Sequence, residues 1–199
     1  MSLGFKCIDI GLDKLEEAAA IHAASYPADH VSGSMGHDLI VEYYSGFLTG
    51  KNFFLGCVSE DSITELMGFV VFGKGLPLKI TEFKSKNRSK LIKFFLSNPR
   101  VFFRFLLKRF AGYIQKSDRF DEAENIILSI VVRENVVGAG SFLMGLVDDY
   151  CATNNVCKLG LYVSCSNVRA LNFYYKTGFK VRAFVSGQYY MEKNFRVSE

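Results

Sequence analysis

The chain has 199 residues, of which 49% are hydrophobic and 22% are charged, and its formal net charge is +4. This length fits one domain with room for an insertion, and the composition excludes a disordered chain. The five cysteines form no CxxC pair and have no spacing suited to a zinc site, so we expect reduced, mostly buried thiols and no metal. The N-terminal residues lack the pattern of a signal peptide, and we expect a cytoplasmic protein.

The first part of the chain predicts three strands and two helices. A strand-like run covers 5–10, and helical patterns follow over 12–25 and 37–48, with a loop rich in glycine and serine between them. Two further strand-like runs, 53–59 and 66–72, are joined by a polar connection that is short enough for an antiparallel hairpin.

Residues 74–120 predict an insertion between the third and fourth strands. We interpret its first part as a basic linker, whereas 91–110 predicts two basic, Phe-rich helical segments that break at Pro99. Such a composition fits a solvated helix face or a helix that packs on its own domain or on a dimer partner. Residues 89–110 also fit an amphipathic helix at a membrane surface.

The second part of the chain predicts a buried strand followed by alternating helices and strands. The run 125–132 is almost wholly apolar and rich in β-branched residues, as in a central strand covered on both faces. The later elements are helices over 140–154 and 168–177 and strands over 159–165, 181–185 and 189–192. This order predicts a single α/β domain, a mixed sheet with helices on both faces.

Two glycines mark the turn that follows the strand 125–132. Gly138 and Gly140 lie where this strand leads into a helix. Small residues let the backbone approach a ligand, and the N–H groups of a helix start suit a phosphate. A pyrophosphate site is one interpretation, and tight packing of strand against helix is the other. The glycine pattern matches neither a Rossmann fingerprint nor a Walker A loop.

A second constellation follows the fifth predicted strand. Asn167, Ala170, Tyr174, Gly178 and Phe179 form the pattern N-x-x-A-x-x-x-Y-x-x-x-G-F. Asn167 is placed to cap the next helix or to orient a ligand, Tyr174 shares a face with Ala170, and Gly178 ends the helix. Together with the glycine turn, this pattern resembles the GNAT acetyltransferase superfamily.

The resemblance implies a GNAT fold over residues 1–199, with a mostly antiparallel sheet of about seven strands, and acetyl-CoA as the acyl donor. The coenzyme A pyrophosphate would bind the glycine turn, and the pantetheine arm would lie between splayed fourth and fifth strands. The implied coenzyme-binding residues are Ile130, Val131, Val132, Val137, Gly138, Ala139, Gly140, Ser141, Asn167 and Tyr174. Asn135 and Val136 depart from the family's motif, in which Gln or Arg and then Gly are common, and residues 74–120 lie outside the common core.

The resemblance also implies direct transfer of the acetyl group within a ternary complex. Tyr174 would be the general acid toward the departing thiolate, whereas its neighbour Tyr175 should point about 100° away on the same helix. The attacking amine must lose a proton, and Glu124 near the start of the fourth strand is the candidate base. Less favoured bases are His22, His30 and Ser164.

The acceptor is expected to be a primary amine on a small molecule that lies against the first two helices and the insertion. An amino sugar, a nucleotide-linked sugar, an amino acid and a polyamine stay open, as does a protein N-terminus. Aromatic and polar residues that would line such a pocket, or belong to the core instead, are Tyr26, His30, His37, Tyr43 and Tyr44. The alternative functions are a non-catalytic acyl-CoA sensor and a membrane-surface acyltransferase, and nucleic-acid binding has no domain signature here.

Overall fold

The computed structural model describes residues 4–26, 31–49, 52–103, 106 and 120–195. The strands are β1 (Phe5–Asp9), β2 (Asn52–Ser59), β3 (Ser62–Lys74), β4 (Asn125–Val132), β5 (Lys158–Ser164), β6 (Lys180–Val185) and β7 (Gln188–Asn194). The helices are α1 (Leu15–Ser25), α2 (His37–Ser45), α3 (Leu76–Lys86), α4 (Arg88–Ser97), α5 (Ala139–Thr153) and α6 (Val168–Lys176). Short 3-10 turns cover Leu12–Lys14 and Ser32–Ser34.

The strands form one sheet of seven in the order β1-β2-β3-β4-β5-β7-β6. Every neighbouring pair is antiparallel except β4 and β5, which are parallel. The expectation of a mixed, mostly antiparallel sheet flanked by helices is therefore confirmed. β3 begins four residues earlier than expected because the turn from β2 is tight, with Ser59 opposite Ser62.

β3 is a central strand that is covered on both faces. Phe69 and Val71 pack into a cluster beneath α1 and α2, whereas Val70 and Phe72 pack into a second cluster beneath α5 and α6. All four side chains are fully buried, and they alternate between the faces because successive strand residues point to opposite sides. The two clusters hold the helices against the sheet.

The predicted basic linker after β3 is wrong, because this segment is helical. α3 begins directly after β3, with Gly75 in the left-handed region (φ +71°) at its N-cap and Pro77 in its first turn. Proline is well tolerated there, since the first N–H groups of a helix have no partner within it. The predicted break at Pro99 is confirmed, since α4 ends at Ser97 and 99–103 is helical again.

The remainder of the expected helical insertion falls partly beyond what the structure describes, because 104–105 and 107–119 lie outside the described residues. Among the helices that are described, none is long and apolar enough to span a bilayer.

The expectation that the cysteines are mostly buried is also wrong. Cys57 and Cys151 are buried, whereas Cys7, Cys157 and Cys165 are exposed, and all five are free thiols. The exposed cysteines lie on the edge strand β1 and in the connections directly before and after β5. Burial raises the pKa of the Cys57 thiol to about 12 and that of Cys151 to about 11.

Two glycine-to-alanine substitutions should have opposite effects on stability. A Cβ at Gly68 would lie 2.7 Å from the carbonyl oxygen of Val131, which strand pairing holds in place, whereas a Cβ at Gly145 in α5 would meet nothing within 4 Å. We expect Gly68→Ala to lower the free energy of unfolding by about 2 kcal/mol. Gly145→Ala should raise it by up to about 1 kcal/mol, since alanine favours helix.

Urea unfolding followed by circular dichroism measures both changes. Equal shifts of the unfolding midpoint in the two variants would contradict the close approach of β3 and β4 at Gly68.

Candidate active site

β4 and β5 separate partway along their length. They pair only where Asn125–Ile127 lies opposite Leu159–Leu161. Beyond that point β4 continues beside β3 as far as Val132, and β5 continues beside β7 as far as Ser164. A wedge-shaped opening therefore lies between 128–132 and 162–164, and its edges are strand backbone.

A β-bulge in β4 accounts for this separation. Val71 lies opposite Ser129 and Phe72 lies opposite Ile127, so Leu128 is an extra residue in β4. A bulge bends the strand that carries it and increases its local twist. The bend falls directly after the last residue that pairs with β5, and it turns the end of β4 away from β5.

Three of the predicted coenzyme-binding residues line one edge of the opening. Ile130 and Val132 pack on the α5 and α6 side of the sheet, whereas Val131 packs on the α1 and α2 side. Their side chains are thus engaged in the two cores. The groups that they can offer a ligand are those of the main chain.

The predicted glycine turn lies where the chain enters α5. Gly138 is the N-cap and has φ +92°, a left-handed conformation that glycine adopts without the cost that a Cβ brings. Helical bonding begins with the N–H of Phe142, which donates to the Gly138 carbonyl oxygen at 2.9 Å. The N–H groups of 138–141 come before that bond and form the positive end of α5.

The other predicted residues of this turn differ in exposure. Ala139 is fully buried and anchors the start of α5 in the core, whereas Val137 and Ser141 are exposed. A Cβ at Gly140 would lie 3.7 Å from the Phe173 ring of α6. The turn therefore presents backbone N–H groups beside an apolar ring, an arrangement that suits an anion such as a pyrophosphate.

Arg133, the nearest cation to this turn along the chain, is engaged elsewhere. Its guanidinium donates to the Leu66 carbonyl oxygen at 2.6 Å and to Glu17 at 3.0 Å, and it lies 3.5 Å from Glu65. Although partial burial alone would raise the pKa of Glu17, bonds from Lys14, the Leu66 N–H and Arg133 lower it. Arg133 thus fixes the end of β4 to β3 and α1.

Tyr174 of α6 lies in the core cluster beside the opening. Its side chain is 8% exposed, whereas the neighbouring Tyr175 is 54% exposed, so the predicted divergence of the two phenols is confirmed. Burial raises the pKa of Tyr174, and the nearby phenol of Tyr26 raises it further. Tyr174 is therefore a neutral phenol at physiological pH.

Asn167 caps α6, as one of its two interpretations predicted. Its side-chain oxygen accepts from the Ala170 N–H at 3.0 Å. The nitrogen of the same amide is the group that a ligand could use. Gly178 has φ +95° and ends the helical segment, as expected.

The sequence named Tyr26 and Tyr44 as candidate pocket residues and His22 as a less favoured base, but it did not predict that they meet Ser129. The four form a cluster on the α1 and α2 side of the opening. Tyr26 and Tyr44 lie 3.1 Å and 3.3 Å from the hydroxyl oxygen of Ser129. His22 Nδ1 lies 2.7 Å from the Tyr44 hydroxyl, and its ring stacks on Tyr26. We call Tyr26, Tyr44, Ser129 and His22 the hydroxyl cluster.

The hydroxyl cluster lies at the mouth of the opening. Ser129 follows the bulge directly, and Tyr26 is near enough to Tyr174 to influence its pKa. Burial raises the pKa of both Tyr26 and Tyr44, so their phenols stay protonated. The available signal was Ser129 itself, a polar residue within the apolar run 126–132.

The other residues that the sequence predicted for an acceptor pocket do not belong to the hydroxyl cluster. Tyr43 packs edge-on against Phe47 and Phe83 and belongs to the core around α2. His37 is exposed and contacts Glu16. His30 lies outside the described residues.

Glu124 lies directly before β4, next to the part of the strand that pairs with β5. Its carboxylate is exposed and bonded to Lys74 at 2.6 Å, and that ammonium lowers its pKa. Its role as base stays a prediction, and a carboxylate of lowered pKa is a weaker proton acceptor. Ser164, a less favoured base, lies 2.9 Å from the Ser166 hydroxyl at the end of β5.

A model of the acetyltransferase (GNAT) family matches residues 76–179, slightly more than half of the chain. The match begins at α3 and ends just after α6, and it includes the glycine turn and the Asn167 constellation. No curated protein sequence gives a significant match.

Solved structures of acetyltransferases share the fold. The PaiA N-acetyltransferase from Thermoplasma acidophilum, in complex with coenzyme A, has TM-score 0.57 and 15% identity, with 97% of this chain and 100% of that chain covered. The ribosomal-protein-S18-alanine N-acetyltransferase from Escherichia coli has TM-score 0.58 and 13% identity, covering 98% and 97%. Ard1 from Thermoplasma volcanium has TM-score 0.56 and 18% identity, covering 96% and 98%. These likenesses establish the fold, and the family match establishes that the chain belongs to the GNAT acetyltransferase family.

Proposed function

We propose that the protein is an N-acetyltransferase that moves the acetyl group of acetyl-CoA to a primary amine of a small acceptor. The observation that carries this proposal is the opening between β4 and β5, which lies beside the glycine turn at the start of α5. An open strand edge followed by a helix N-terminus suits a ligand with a peptide-like arm and a pyrophosphate.

Acetyl-CoA fits the chemistry of the groups that are present. Main-chain groups of Ile130 to Val132 would bind the amides of the pantetheine arm, and the N–H groups of 138–141 would bind the pyrophosphate. The guanidinium of Arg133 is held by Glu17 and Glu65, so the turn would bind the anion chiefly through its backbone.

The transfer itself needs a proton donor and a proton acceptor. The amine nitrogen would attack the thioester carbonyl, a C–N bond would form, and the C–S bond would break. Tyr174 would donate its proton to the departing thiolate, because the phenol is neutral before the reaction. The proton that the amine loses would pass to a base or to water.

The hydroxyl cluster supports an acceptor site on the α1 and α2 side of the opening. Tyr26 reaches both Ser129 on β4 and the surroundings of Tyr174 on α6. Neutral hydroxyl groups can donate to and accept from an amine and its polar neighbours. Among small acceptors, an amino sugar, a nucleotide-linked sugar, an amino acid and a polyamine stay open, and a protein N-terminus stays open beside them.

Binding of acetyl-CoA should depend on Gly138. We expect Gly138→Glu to weaken binding about a hundredfold, since the new side chain crowds the turn and its charge repels a pyrophosphate. Gly75→Glu is the matched control, because Gly75 is also a helix N-cap with positive φ. It follows the last residue of β3, whereas the glycine turn follows the end of β4, which pairs with the first half of β3. Isothermal titration calorimetry with acetyl-CoA measures both affinities.

Two results would count against the coenzyme site. One is a folded wild-type protein that does not bind acetyl-CoA, and the other is equal weakening in the Gly138 and Gly75 variants. Binding without transfer to any amine of a broad library would instead favour the non-catalytic sensor.

Tyr174→Phe should lower kcat by at least about 100-fold with little change in KM for acetyl-CoA, because it removes only the acidic proton. Since the pKa of Tyr174 is raised, the wild-type rate should not fall through loss of this proton below about pH 10. Release of the coenzyme thiol, followed across pH with an amine found by the library screen, measures the rate. Tyr175→Phe is the control, and unchanged kcat in Tyr174→Phe would exclude the acid role.

Tyr26→Phe should raise KM for the amine about five- to tenfold and leave the Kd for acetyl-CoA unchanged, since it removes one hydroxyl from the acceptor side. Tyr189→Phe on β7 removes the same atom far from the cluster and should change neither value. Steady-state kinetics and calorimetry give the two constants. If the Tyr26 variant loses affinity for acetyl-CoA but keeps the wild-type KM for the amine, Tyr26 contacts the coenzyme and not the acceptor.

A further inference from the structure

The helices that follow β3 form a projection with little packing of its own. We call α3, α4 and 99–103 the basic arm. None of the ten residues of α4 is buried. The arm is fixed to α2 mainly through α3, where the Phe83 ring meets Tyr43 at 5.2 Å between centroids, and through an ion pair of Lys90 with Glu42 at 2.5 Å.

An exposed apolar patch runs along the outer part of the basic arm. Ile92 is 50% exposed, Leu96 is 77% exposed, and Phe103 is 64% exposed. The Phe102 ring links Phe103 to α4, with its centroid 6.4 Å from Phe103 and 5.5 Å from Phe95. Single exposed apolar residues are ordinary, but a contiguous group of large ones marks an interaction surface.

The basic arm that carries this patch has a large excess of cations. The only acidic residue in 76–103 is Glu82, whereas the basic residues there are Lys79, Lys84, Lys86, Arg88, Lys90, Lys93 and Arg100. In α4, Ile92 and Leu96 lie four residues apart on one exposed face, and Lys93 lies beside them, about 100° around the helix from Ile92. Helices with an apolar face and a basic face bind in the interfacial plane of anionic bilayers.

We propose that the basic arm binds the surface of an anionic phospholipid membrane. Ile92, Leu96 and Phe103 would enter the boundary between headgroups and acyl chains, and the lysines and arginines would lie among the phosphates. A second copy of the chain fits less well, because a symmetric contact would set one cationic rim against another. A nucleic acid would pair with the cations but would leave Ile92 and Leu96 in water.

The test is flotation of the full chain, without acetyl-CoA, on vesicles of phosphatidylcholine alone or with about a third of phosphatidylglycerol. We expect binding only to the anionic vesicles, and weaker binding as salt is added. Ile92→Ser combined with Leu96→Ser should weaken partitioning at least about tenfold, because less apolar surface enters the bilayer. Leu12→Ser, which changes a side chain that is 76% exposed outside the arm, should have no effect.

The charge requirement has its own pair of variants. Lys93→Glu should weaken binding about tenfold, whereas Lys180→Glu, an equal change of net charge on the edge strand β6, should not. Failure to float with anionic vesicles, or equal losses in arm and control variants, would overturn the proposal. So would a dimer in light scattering that dissociates in the Leu96 variant, or tighter binding to RNA than to vesicles. These readouts do not involve acetyl transfer, so they stand or fall separately from the proposed function.

Discussion

The extra residue in β4 is the constraint on which the rest of the site depends. Leu128 breaks the regular register with β3, and the parallel pairing with β5 ends one residue earlier, at Ile127. Unpaired backbone within a sheet is costly unless water or a ligand satisfies it. The fold tolerates this break because β4 keeps its bonds to β3 and β5 keeps its bonds to β7 on the outer sides.

The end of β4 is held firmly although it has lost one neighbour. Arg133 bonds to the Leu66 carbonyl oxygen of β3 and to Glu17 of α1, while the Glu17 carboxylate accepts the Leu66 N–H at 2.6 Å. These groups are partly exposed, so each pair contributes modestly to stability. Their main effect is on geometry, because they fix the end of β4 to β3 and to α1.

Local patterns predicted the elements to which we assign coenzyme binding. The run Asn125–Val132 has a composition that favours a buried central strand, and Gly138 occupies a backbone conformation that favours glycine strongly. Tyr174 followed from a motif with five fixed positions. In each case the signal lies within a few residues along the chain.

What the sequence did not predict depends on contacts between distant segments. The partnership of Tyr26 with Ser129 joins residues 103 positions apart. The sequence did not predict α3, because Leu76 and Phe83, its two buried residues, are too few among basic residues to give a helical pattern. The exposure of Cys7, Cys157 and Cys165 depends on which strands form the edge of the sheet and which loops lack a covering layer.

The parallel pairing of β4 with β5 also divides the sheet into two halves. Three pairs of facing residues join β4 to β5, and through them β1–β4 to β5–β7. The apolar cluster beneath α5 and α6 also contains residues of both halves. Apolar contacts are less directional than hydrogen bonds and permit small sliding motions. An elongated ligand between the halves would act as an additional strand, and its binding would then be thermodynamically linked to the cooperativity of folding.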